Sequence, residues 1–333
     1  MDIIKKINIV FIGTADFGLP TLNKFVLNQD SEYDFNLKLI ITQPDRPKGR
    51  NLGFKYSLIK ETALLKNIPL LQPENINEDD IVESIKKCEP DIIVTIAYGG
   101  YIGKTLRTIC PLGAINLHPS LLPLHRGADP VRSTLLAKDE YCGNTIYFLT
   151  SKIDSGPIIK QKSYKISDLE VKKNFTYIEY FLSKQGAEDM VEVIKQLEQK
   201  NVHYSELKKL FPQQDHSKAT LSKKLEKNSA YADFNLSADE FINNVRSYSY
   251  RPGYVCKFRG KRLEIYEAEI IRKKNNEKYP EVTEIIKNVG FVISLKDADV
   301  LIKEVQYEGK KMMSSWDFNK GMRLQIGETF ESI

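Results

Sequence analysis

The 333-residue chain predicts an α/β fold: a doubly wound, mostly parallel, Rossmann-like sheet followed by a small β-barrel of the OB-like kind. Three observations carry this. Four short apolar runs in the first 120 residues each end in a turn rich in Gly or Pro. Amphipathic segments of helical period lie between the runs. After residue 240 come short alternating strands. Strands that alternate with helices pair in parallel, because each helix carries the chain back across the sheet.

The first run, 7–12, stops at Gly13. It is short, contains Asn8 and is followed by Asp16 without a small-residue cleavage site, so it reads as a buried strand and not a secretion signal. The second, 37–42, leads into the turn-rich Gln43-Pro-Asp-Arg-Pro-Lys-Gly49. The third, 91–97, ends at Tyr98-Gly99-Gly100, and the fourth, 113–118, ends at a Pro-rich loop. Helices are expected near 18–29, 56–67 and 79–87, with a longer charged one over 174–200. Residues 201–230 lose apolar periodicity and read as a linker between a domain at 1–200 and another at 231–333. In the latter, a helix from Phe241 precedes strands at 253–259, 263–267, 291–295 and 300–305.

Composition narrows the class. Hydrophobic residues at 41% and charged residues at 28% describe an ordinary globular chain. No run approaches the roughly 18 apolar residues a membrane span needs. Cys88, Cys110, Cys142 and Cys256 are scattered without a C-x-x-C pair, so neither a metal site nor a disulfide framework is expected, and a reducing, cytoplasmic setting is. Net charge is +5, and residues 201–333 hold 23 Lys+Arg against 19 Asp+Glu. Phe241 to Leu263 contains six basic residues and no acidic one, interleaved with Tyr248, Tyr250, Tyr254 and Phe258. Such a segment suits a polyanionic partner or a solvated lysine-rich face, and strand alternation would send Tyr254 and Phe258 into the core.

Gly13-Thr-Ala-Asp-Phe-Gly18 lacks both the G-x-G-x-x-G spacing and a following Lys-Ser/Thr, so it reads as a tight strand-to-helix turn. Asn116 and His118 lie two apart at the end of a strand and share one face. A carboxamide beside an imidazole suits acyl transfer, where one polarises a carbonyl and the other stabilises charge or handles protons; a structural hydrogen-bonded pair is the plainer alternative. Asp154, in the Gly/Pro turn 150–157, is a surface carboxylate or the group that orients the imidazole. His125, His203 and His216 read as exposed loop residues.

The segment Asn116-Leu-His-Pro-Ser-Leu-Leu-Pro-Leu-His-Arg-Gly-Ala-Asp-Pro130, with Ile153-Asp-Ser-Gly156, resembles the folate-dependent formyltransferase family. Within it, similarity to the branch that acts on methionyl-tRNA runs nearly end to end: Phe11 to Phe17, Thr42 to Arg50, Val94 to Gly99, Gln214 to Thr220, Val305 to Met313 and Asp317 to Gly321. The resemblance implies formyl transfer from 10-formyltetrahydrofolate to initiator methionyl-tRNA at the start of translation, by a monomer that needs no metal. It implies Asn116, His118 and Asp154 as the catalytic trio, and a folate site at Ser120, Leu121, Leu122 and Pro123 beside Ala97 and Tyr98. Arg46, Lys48 and Arg50 fall in the loop that meets the tRNA acceptor end; Arg251, Arg259 and Lys261 are the expected tRNA cations of the C-terminal part. Pro157 and Asp129 depart from the pattern, standing where an acid and a small residue are usual. Two other readings stay open: a sugar-amine N-formyltransferase, and a non-catalytic tRNA-binding protein on the same fold.

Overall fold

The computed structural model describes residues 5–30, 32–48, 53–54, 56–170, 172–226 and 228–333. Two units compose the chain: Met1–Pro130, Tyr141–Lys165 and Glu179–Lys223 form the first, and Val131–Glu140, Ile166–Ile178 and Lys224–Ile333 the second. The stretch 201–230, read as a linker, is thus divided between them at Lys223.

The elements up to Ser222 are β1 (Lys5–Gly13), α1 (Leu19–Leu27), β2 (Tyr33–Ile41), β3 (Pro47–Lys48), β4 (Gly53–Phe54), α2 (Leu58–Leu65), β5 (Leu70–Leu71), α3 (Asp79–Lys86), β6 (Ile92–Ile96), α4 (Lys104–Thr108), β7 (Ala114–His118), β8 (Arg126–Gly127), α5 (Pro130–Leu136), β9 (Tyr141–Phe148), β10 (Ile158–Lys165), α6 (Phe175–Gln199), α7 (Tyr204–Leu207) and β11 (Leu221–Ser222). The main sheet has the order β5-β2-β1-β6-β7-β9-β10. Its first five strands are parallel, and β9 and β10 join antiparallel. The four apolar runs became β1, β2, β6 and β7. Neither β9 nor β10 was anticipated, because Gly143, Asn144 and Thr145 interrupt one and Lys160, Gln161 and Lys162 make the other polar.

From β1 the chain winds to one side to make β2 and β5, then returns to place β6 on the other side. That reversal opens a crevice beyond the carboxyl ends of β1 and β6, where open α/β sheets bind ligands. The turns after both strands are tied together: Ala15 N–H donates to the Ala97 carbonyl at 3.3 Å, and Thr14 Oγ1 to the Tyr98 carbonyl at 3.4 Å. Gly13 permits this approach, since a Cβ there would lie 2.7 Å from the Ile96 carbonyl oxygen.

On one face of the sheet Val10, Ile12, Ile41, Ile93 and Ala114 form a core with Val82 and Ile85 of α3 and Leu106 of α4. Burying one large aliphatic side chain of this kind contributes about 1.5–3 kcal/mol. Leu117 faces the other way, onto α6 at Gly186, where a Cβ would come within 2.6 Å of it. Alternation therefore leaves Asn116 and His118 on the face opposite Leu117.

In the second unit, α8 (Ala238–Tyr248) precedes β12 (Tyr254–Phe258), β13 (Lys261–Lys273), β14 (Val282–Ile286), β15 (Gly290–Leu295), β16 (Ala298–Tyr307), β17 (Met313–Ser314) and α9 (Ser315–Met322). Ser237 and Glu240 form a capping box at the start of α8, which buries Phe241, Ile242, Val245 and Tyr248. The antiparallel sheet has the order β12-β13-β16-β15-β14, with β17 on β16. Three register shifts along β13 mark the bulges that let so long a strand curl. The C-terminal segment closes the sheet on itself: Glu331 bridges Lys257 at one edge and Thr329 bridges Glu281 at the other. Phe330 between them enters the core, stacked on Phe291 with centroids 5.8 Å apart. Tyr254 and Phe258 are also in that core, each 1% exposed. β14 escaped the sequence reading because Thr283 and Glu284 leave it without an apolar run.

Candidate active site

Three neighbouring strands put Thr95, Asn116 and Tyr147 in one transverse row, since Thr95 pairs with Asn116 across β6 and β7, and Asn116 with Tyr147 across β7 and β9. Cross-strand partners point to the same side, and here they form one hydrogen-bonded chain. Thr95 Oγ1 donates to Asn116 Oδ1 at 2.9 Å, Asn116 Nδ2 to the Tyr147 hydroxyl at 3.1 Å, and that hydroxyl to Asp154 Oδ1 at 2.6 Å. Burial, with the Asp154 carboxylate next, raises the Tyr147 phenol well above its ordinary value, so it stays a proton donor. The polarity of the chain fixes which end of the Asn116 amide is nitrogen. It also leaves that nitrogen one further N–H, unused by any hydrogen bond among the described residues.

Asp154 arrives from the loop after β9. Its other oxygen, Oδ2, accepts from Gly127 N–H of β8 at 2.7 Å and lies 3.6 Å from His118 Nδ1. The loop doubles back tightly at Gly156, where a Cβ would fall 1.7 Å from the Phe148 carbonyl oxygen. Asp154 itself has φ +46°, and Ala97 at the end of β6 has φ +48°. A left-handed backbone at a residue other than glycine costs on the order of 1–3 kcal/mol and concentrates at functional sites.

His118 is buried, 4% exposed, with Nε2 3.0 Å from the His125 carbonyl. A carbonyl only accepts, so Nε2 carries a proton and sets the ring's orientation. At 3.6 Å the Asp154 contact is electrostatic and not a hydrogen bond, which leaves Nδ1 for a substrate. His125, expected as an exposed loop residue, is buried at φ +57°, and its backbone carbonyl serves the site.

Of the segment expected to hold the cofactor, Ser120 and Leu122 are buried while Leu121 and Pro123 are half-buried. Ser120 Oγ donates to the Leu124 carbonyl at 2.7 Å, and Thr145 and Gln161 hold its backbone through the Ser120 and Leu122 carbonyls. Ala97 is exposed and Tyr98 buried. Among the described residues no group of His, Cys, Asp or Glu is arranged to hold a metal ion, and no helix is long and apolar enough to cross a membrane.

The expected cations are dispersed. Arg46 is exposed and paired with Glu74 at 2.7 Å. Lys48 lies on β3, and Arg50 lies outside the described residues. Arg251 sits over the Phe175 ring at 5.3 Å. Arg259 pairs with Glu328 at 2.6 Å, and Lys261 is exposed with no charged partner among the described residues. Sequence reasoning missed Thr95, Tyr147 and Gln214; an alignment of β6, β7 and β9 side by side is the signal that would have found the first two.

A carboxamide N–H and an imidazole, backed by a carboxylate at the carboxyl end of β7 in a doubly wound sheet, suit a group-transfer enzyme that stabilises an oxyanion. The family description Formyl transferase matches residues 5–194, and Formyl transferase, C-terminal domain, matches residues 224–323. The chain belongs to the formyl transferase family. It is 31% identical over 323 residues to the methionyl-tRNA formyltransferase of Thermotoga maritima, covering 97% of this chain and 98% of that one. The methionyl-tRNA formyltransferase structure from Clostridium thermocellum shares the fold, with a TM-score of 0.53 at 16% identity over 89% of this chain and 98% of that one. So does the N-formyltransferase of Helicobacter canadensis in complex with folinic acid and dTDP-3-aminofucose, at 0.60, 14%, 90% and 99%.

Proposed function

We propose that the chain transfers a formyl group from 10-formyltetrahydrofolate to the amino group of initiator methionyl-tRNA. The observation that carries this reading is the polarised chain Thr95–Asn116–Tyr147–Asp154 beside His118. It lies in a protein related along 97% of its length to a methionyl-tRNA formyltransferase.

The neutral amine attacks the formyl carbon, and the carbonyl electron pair moves onto oxygen. The unused N–H of Asn116 and a proton on His118 Nδ1 donate to that oxygen, each such donor contributing about 3–4 kcal/mol. The Asp154 carboxylate stabilises positive charge on the ring as the oxygen becomes negative. Collapse breaks the bond from the formyl carbon to N10 of the folate. The proton lost by the amine reaches N10 through water, leaving formylated amine and tetrahydrofolate. Exposed Ala97 and half-buried Leu121 and Pro123 offer the folate an apolar edge at the crevice, over a backbone kept rigid by Thr145 and Gln161.

For the tRNA, two basic regions support the reading. In the first unit these are Arg46, Lys48 and Arg50 after β2. In the second, the register of β13 on β16 sets Lys261 beside the turn carrying Lys310 and Lys311, and Arg259 bonds the Met322 carbonyl at 3.0 Å, bringing Arg323 to the same end of the barrel. Lys261, Lys310, Lys311 and Arg323 have no charged partner among the described residues, and the three lysines are exposed. The same fold serves an amino-sugar enzyme, so the fold does not choose the acceptor. Comparing charged initiator tRNA with an amino-sugar nucleotide as acceptors tests the choice.

A further inference from the structure

The segment Gln214–Ser222 reaches the candidate site from about sixty residues further along the chain than Asp154, and its contact with the 154–156 loop is made by one amide. Gln214 is 5% exposed. Its Nε2 donates to the Asp154 carbonyl at 3.0 Å and to the Gly156 carbonyl at 2.8 Å. Its Oε1 accepts from Arg126 Nε at 3.2 Å and Nη2 at 2.6 Å. With two acceptors at one end and two donors at the other, the amide is fully used and cannot turn over without losing all four bonds.

Arg126 is itself buried and reaches His216 Nδ1 at 2.9 Å. It stands next to Gly127, whose N–H holds the Asp154 carboxylate. Parallel pairing of β8 with β11 anchors Arg126 and Gly127, as does the bond from Arg126 N–H to the Thr220 carbonyl at 2.9 Å. Asp154 is thereby gripped at its side chain by Gly127 and at its backbone by Gln214. Its left-handed φ is one that a free loop disfavours, so the grip opposes a relaxation the backbone would otherwise make.

We propose that Gln214, locked by Arg126, is a positioning residue: it holds the 154–156 loop in the turn that aims the Asp154 carboxylate at Tyr147 and His118. The proposal rests on the reading of Asp154 given above. Because Gln214 acts through Asp154, its effect on turnover requires that carboxylate to be present.

The test uses the full chain, with 10-formyltetrahydrofolate and charged initiator tRNA, in a double-mutant cycle of Gln214→Glu and Asp154→Asn. Gln214→Glu keeps the shape and the Arg126 contact but removes both donors. We expect it to lower kcat by about 10- to 100-fold, with the donor KM changed by less than about twofold. In the Asp154→Asn background it should add nothing further. Should Gln214→Glu fail to fold, Gln214→Met carries the same expectation. Unchanged kcat, multiplicative losses in the double variant, or joint loss of donor binding and turnover in both Gln214 variants would each overturn the proposal. If Asp154→Asn is slow while Gln214→Glu is normal, only the positioning role falls; if Asp154→Asn turns over normally, the reading of Asp154 falls first.

Discussion

A carboxamide can offer either end to a substrate, and at Asn116 the choice belongs to its neighbours. Thr95 donates to its oxygen and Tyr147 accepts from its nitrogen, so the remaining N–H is what faces outward chemistry. Tyr147 is the hinge of the arrangement, buried to 1% exposure and bonded to both Asn116 and Asp154. Tyr147→Phe leaves a carboxylate oxygen and an amide N–H each one partner short. It should cost about 1–3 kcal/mol of stability and lower kcat about tenfold, measured by thermal melting and steady-state kinetics. A kcat equal to wild type would show that the chain's continuity is irrelevant to turnover. At this scale the sequence was informative where alternation sufficed: Asn116 and His118 share a face once 114–118 is a strand. It was silent on Tyr147, which is related to them only through strand pairing. It was equally silent on the left-handed backbones of Ala97 and Asp154, since neither residue type announces a positive φ.

The elements show where local reading runs out. β1, β2, β6 and β7 are largely buried, and their continuous apolar runs were visible at once. β9, β10 and β14 carry polar or small residues that break such runs, and only their partners make them strands. The segment from Gln214 looked structureless because its contribution is made by side chains and by a two-residue strand, not by periodicity. In the second unit, strand alternation did predict that Tyr254 and Phe258 point inward, which leaves the cations and not these two rings for a nucleic acid. Replacing Lys261, Lys310 and Lys311 together by Ala should weaken binding of initiator tRNA. It should also flatten the dependence of log affinity on log salt by about 0.7–0.9 for each phosphate no longer neutralised. Affinity measured across a salt series checks this; an unchanged slope would remove the barrel end from the tRNA site.

Across the whole molecule, burial holds protons on groups that would release them if unfolded. Burial raises the phenols of Tyr147, Tyr254 and Tyr266 above 10.0 and the thiols of Cys110 and Cys256 above 9.0, and it lifts Cys142 to about 11. The folded state therefore binds these protons more tightly than the unfolded state does. The stability they contribute is fully present below the unfolded values and is lost as pH rises toward the folded ones. Urea midpoints should be level from about pH 7 to 8.5 and fall steadily beyond about pH 9.5. A midpoint unchanged to about pH 11 would contradict this. The two-part architecture was legible from composition and pattern, because alternating strands and helices leave few other ways to bury so many apolar runs. The closing of the barrel by Phe330 and its neighbours was not, since it joins the chain's end to residues dozens of positions away.

The most direct measurement is formyl transfer from 10-formyltetrahydrofolate to charged initiator tRNA, with wild type and His118→Ala side by side and an amino-sugar nucleotide as the competing acceptor. The expected result is efficient formylation of the tRNA and not of the sugar by wild type. His118→Ala should turn over about 10²- to 10⁴-fold more slowly, with donor binding unchanged and the fold intact. Near-normal turnover by His118→Ala, or preference for the sugar amine, would contradict it.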